Sequence, residues 1–77
     1  MGLNTYVVFK EAPAPPGRRT KIWFVESLRG AVLGYISWYA RWRQYTFHPD
    51  PNTTFSAGCL HDIEQFIAHE MTSRRAA

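Results

Sequence analysis

Cys59, His61 and His69 are the residues with which this chain could perform covalent chemistry, a thiol nucleophile beside an imidazole base. The spacing works against it. Residues two apart on a helix point about 200° away from one another, so Cys59 and His61 diverge. The positive end of a helix lowers a thiol pKa in the first turn, but a small side chain there reads more simply as a buried filler. One cysteine and three scattered histidines supply no CxxC or HxxxH pair, so no metal site is expected. None of the six carboxylates forms a recognisable catalytic pairing, and no glycine-rich phosphate loop occurs. The expectation is a protein that is not an enzyme, with no catalytic residue, metal or cofactor.

Non-covalent recognition has better material. Leu33 to Phe47 holds six of the twelve aromatics, and Arg41 and Arg43 flank Trp42 within it. Tyr35, Tyr39, Trp42 and Tyr45 near two guanidinium groups are the parts of a single-strand nucleic-acid site on an open sheet. Tryptophan and arginine are equally the commonest hot spots of protein interfaces. The plainest reading makes Trp38, Tyr45 and Phe47 core, with Arg41 and Arg43 merely flanking a turn. Arg18 and Arg19 form a second basic spot, either solvated or touching a phosphate or carboxylate. The partner-binding candidates are therefore Tyr35, Tyr39, Arg41, Trp42, Arg43, Arg18 and Arg19. A net charge of +3, with nine basic residues spread along the chain, falls short of a nucleic-acid stripe. A protein partner is the leading expectation, and single-strand nucleic acid the alternative.

The elements that must position these groups follow from periodicity. Tyr6 to Phe9 reads as a short edge strand. Residues 11–19, with three prolines, read as an extended surface loop. Thr20 to Ser27 alternates, with Trp23, Val25 and Ser27 opposite Ile22, Phe24 and Glu26. Gly30 supplies a turn, and a third strand begins near Val32. There Gly34, Ile36 and Trp38 oppose Leu33, Tyr35, Ser37 and Tyr39, and Gly34 leaves room for a neighbouring ring or backbone. After a tight reversal near Ala40-Arg41, Arg43, Tyr45 and Phe47 oppose Trp42, Gln44 and Thr46. His48 to Asn52, with two prolines, ends that strand and turns the chain. From Ala57, Leu60, Ile63, Phe66, Ile67 and Met71 recur at helical steps. Ser56 is placed to cap this helix, and Phe55 to staple against Leu60.

Seventy-seven residues make one small domain, 1–77, ordered over 5–72 and frayed over 73–77. The fold class expected is α+β in two layers: an antiparallel sheet of three to four strands with one C-terminal amphipathic helix on one face. One short helix cannot cover both faces of such a sheet, so some aromatic surface is left bare. A lone cysteine, no apparent signal peptide and no apolar run of membrane-spanning length point to a soluble, cytoplasmic protein.

Two further patterns carry a resemblance. Leu33 to Phe47 followed by Pro49, written LGxIxWYxxWRxYxFxP, precedes Cys59-Leu60-His61-Asp62-Ile63 within a CLxDIxxF helix. Over roughly Ile22 to Phe66 this resembles small uncharacterised proteins of phages and prophages. Anti-CRISPR inhibitors are a prominent group among small phage proteins, so the resemblance implies a binding protein acting in the host cytoplasm. Its partner would be a subunit of a CRISPR–Cas effector complex. Many such inhibitors are acidic DNA mimics. At +3 this chain is not one, so it would act by covering a protein surface.

Overall fold

Strict alternation of large apolar groups dictates strands, and four are present in the computed structural model, which describes residues 6–13 and 15–76. Thr5 and Ala77, given above to the start of the ordered region and to the frayed tail, lie outside the described residues, as does Ala14 of the proline loop. The strands are β1 (Val7–Glu11), β2 (Trp23–Ser27), β3 (Val32–Tyr39) and β4 (Gln44–Pro49), followed by the helix α1 (Ala57–Ala76). The sheet is an antiparallel meander in the order β1-β2-β3-β4. This is the two-layer α+β architecture that the periodicity predicts.

Register assigns every side chain to a face. Phe9, Val25, Gly34 and Pro49 lie in one row under the helix, with Trp23, Ile36 and Phe47 in the next and Trp38 beside Tyr45 beyond. Val7, Trp23, Val25, Ile36, Tyr45 and Ile63 are buried there. Phe66 of α1 stacks on Phe9, centroids 4.1 Å apart, and meets Trp23 edge-on at 5.0 Å. Trp23 in turn meets Tyr45 at 5.1 Å. These contacts join helix and sheet through rings, which bury more area per residue than any aliphatic group of so short a chain.

The local signals hold at several points. Gly30 has φ 94° in the β2–β3 turn and Asn52 has φ 62° after β4. The Cys59 N–H donates to Ser56 Oγ at 3.2 Å, the expected cap, a contact worth about 1 kcal/mol. Gly34 is required by close approach. A Cβ there would overlap the His48 carbonyl oxygen and come within 2.9 Å of the Phe47 ring and of Pro49 Cα.

Other expectations are corrected. β2 begins at Trp23 rather than Thr20, because the loop is already closed by the Ala12 N–H donating to the Ile22 carbonyl at 2.7 Å. β1 extends to Glu11, paired with Trp23. The β3–β4 reversal occupies Ala40 to Arg43, so Trp42 and Arg43 belong to the turn and not to the strand. A register shift opposite Val25 and Glu26 makes Leu33 the extra residue of a bulge and turns it toward the core, away from the face of Tyr35. Leu60 is 51% exposed, so the staple to Phe55 is not made. Phe55 packs on Phe47 instead, and the helix contact line begins one residue earlier, at partly buried Cys59. The helix does not stop at Thr72 but continues to Ala76, where the Arg74 guanidinium lies over the Trp38 ring at 4.2 Å.

Candidate functional site

Among the described residues, no layer covers the face turned away from α1. Across it the register sets Lys10, Phe24, Tyr35 and His48 side by side, one from each strand. Tyr35 is 40% exposed and stacks on His48 at 4.7 Å, while Phe24 is 42% exposed. One end of this face is finished by Tyr39 and the turn. There Trp42, 64% exposed, meets Tyr39 edge-on at 4.9 Å. The turn is held by N–H groups of Trp42 and Arg43 donating to the carbonyls of Tyr39 and Ala40, each at 3.2 Å. Arg43 sits at φ 53°, the left-handed region that a non-glycine residue enters at a cost. The turn projects Trp42 off the end of the sheet and flanks it with exposed Arg41 and Arg43.

Five of the seven predicted residues thus belong to one surface: Tyr35, Tyr39, Arg41, Trp42 and Arg43. Trp38, Tyr45 and Phe47 belong to the helix-covered side, as the core reading of those three expects. Exposed Phe24 and half-buried His48 complete the row and stand outside the seven predicted residues. Phe24 was legible as the outward residue of β2, but His48 sits beside two prolines that read as the end of the strand.

Arg18 and Arg19 are not with this group. Arg18 Nε donates to the Thr20 carbonyl at 3.2 Å, and Arg19 lines a cleft on the helix side with Lys21 and Arg74. The two basic groups do share one end of the molecule. The loop after β1, the turn after β3 and the last turns of α1 all lie where β2 and β4 begin. Arg18, Arg19, Lys21, Arg41, Arg43 and Arg74 therefore gather at that end with two carboxylates, Glu11 and Glu70. Glu26, Asp50, Asp62 and Glu64 lie toward the other end, where the Tyr6 N–H donates to Asp62 Oδ2. The basic residues that look dispersed along the chain are brought together by the meander.

Cys59 is partly buried, its Sγ receiving the Ser56 hydroxyl at 3.3 Å. Among the described residues no cluster of three or more His, Cys, Asp or Glu side chains has metal-binding geometry. No helix of the described residues is long and apolar enough to cross a membrane.

Over 61 residues, 78% of each chain, the sequence is 36% identical to an uncharacterized 9.3 kDa protein of Acholeplasma phage L2. No protein-family model matches the chain, and no solved structure matches it.

Proposed function

This chain belongs to the family of small phage proteins that includes the Acholeplasma phage L2 relative, and from that premise we propose that it is a non-enzymatic binding protein. It docks on a protein through the open face and turn of its sheet. The observation that supports the reading is the uncovered row Phe24, Tyr35 and His48, ending at Tyr39 and projecting Trp42. Exposed rings on rigid strands offer a partner large apolar area at little cost in side-chain entropy. Arg41 and Arg43 beside Trp42 add planar donor forks for carboxylates at the rim.

Within this reading the partner is a subunit of a host defence complex, a CRISPR–Cas effector being the case the phage relationship favours, inhibited by having a working surface covered. Single-strand nucleic acid is the second reading, since the same rings can stack bases. The open face itself is nearly neutral, however, with Lys10 paired to Glu26 at 3.3 Å. Tagged protein captured from host lysate with and without nuclease separates the two. A protein complex that survives nuclease is expected, and Trp42→Ala and Arg43→Glu should each weaken it by at least about 2 kcal/mol, roughly thirtyfold. Trp42 is exposed, so its loss should leave the melting temperature close to that of the parent. Folded variants that bind like the parent would refute the site, and recovery of nucleic acid alone that is lost in Trp42→Ala would install the second reading.

A further inference from the structure

Behind the sheet, at the basic end, a cleft of about 430 Å³ opens between the exit of the proline loop and the last turns of α1. Arg19, Lys21, Tyr45, Glu70, Ser73 and Arg74 line it. Two of its donors are held in place. The Arg74 guanidinium lies 4.2 Å from the Trp38 ring centroid, an arrangement that occupies its face and leaves its N–H edge free. Buried Tyr45 accepts the Lys21 N–H at 3.3 Å, so its own hydroxyl proton remains available to a ligand. Among the described residues no carboxylate comes within salt-bridge distance of Arg19, Lys21 or Arg74. Two charges oppose an anion here: Glu70, and the partial negative charge of the helix C-terminus, about half a unit. Three cations outweigh them.

We propose that this cleft is an anion site for a phosphate group carried on a larger molecule, a nucleotide or a single-stranded polynucleotide. Two guanidinium groups, an ammonium and two hydroxyls offer more donors than the two oxygens of a carboxylate can use, and suit the several oxygens of a phosphate. The volume exceeds what a bare phosphate ion fills, which leaves room for the group that bears it. Arg18 on the loop and Arg41 and Arg43 on the neighbouring turn extend the positive surface from the cleft, so a polyanion would find further contacts. The cleft itself lies on the helix side of the sheet, and none of the six residues that line it belongs to the docking face.

Amide NMR titrations test the assignment with three probes in low salt: inorganic phosphate, a nucleoside triphosphate and a short single-stranded oligonucleotide. Saturable shifts at Lys21, Ser73 and Arg74 are expected with the organic phosphates, weakening as salt rises. The Arg19→Glu/Lys21→Glu protein should bind about tenfold or more weakly. Arg29→Glu, which reverses a charge at the opposite end, should bind as the parent does. Both exchanged loop residues are exposed, and melting curves verify that the fold is intact. Equal affinity for nucleotide and oligonucleotide identifies a small ligand; tighter binding of the oligonucleotide identifies a strand that continues toward Arg41 and Arg43. Absence of saturation with every probe, or equal loss in Arg29→Glu, overturns the site.

Discussion

The two faces of this one sheet are built from the same kinds of residue and have opposite fates. On the helix side Phe9, Trp23, Trp38, Tyr45 and Phe47 pack ring against ring with Phe66 and Phe55. On the other side Phe24, Tyr35, Tyr39 and Trp42 touch mainly one another or His48, and three of them are exposed. An aromatic ring is therefore no indication of core in a sheet with a single covering helix. What decides whether it is buried is the parity of its position in the strand, and the exposed row of rings is what the proposed docking reading draws on.

That contrast can be broken experimentally, beginning where the largest effect is expected. Phe66 joins Phe9 to Trp23 on the covered side, so Phe66→Ala should destabilise the domain by about 3–5 kcal/mol in denaturant or thermal melts. An unchanged midpoint would mean that the helix does not bind the sheet through this ring. Gly34→Ala tests the same side from below. Its new methyl group meets β4 backbone as well as the Phe47 ring, so a loss of about 1–3 kcal/mol is expected. A neutral result would show that the β3–β4 pair separates easily. The open face should respond least. Phe24→Ser removes one cross-strand partner of Tyr35 and should cost under about 1 kcal/mol, less than either change on the covered side. A loss matching that of Phe66→Ala would place Phe24 under a covering layer and erase the distinction between the faces.

Much of this architecture is local and was legible in the amino-acid order. Period-two alternation defines β3, Gly30 and Asn52 take the backbone conformations their turns demand, and Ser56 caps α1 by a contact three residues away. Each is decided by interactions within a few residues, so the chain carries the information where it is used. Element ends were less legible, because β2 and α1 are bounded by tertiary contacts, the Ala12–Ile22 bond and the seat of Arg74 on Trp38.

Three matters were settled only by the tertiary structure. Alternation sorts Trp38 from Tyr35 into opposite sets, but it does not say which set the helix will cover. That depends on where α1 crosses, and the crossing begins at Cys59 rather than Leu60. The bulge at Leu33 arises from the register between β2 and β3, which neither strand specifies alone. The charge distribution is the clearest case. Arg74 is separated from Arg19 and Lys21 by most of the chain, yet a meander returns each odd connection to the same end, and a helix antiparallel to β4 brings its last turns there too. Sequence by itself determined the net charge of +3. Only the fold, by closing distances that chain order keeps long, turned that modest excess into a basic end.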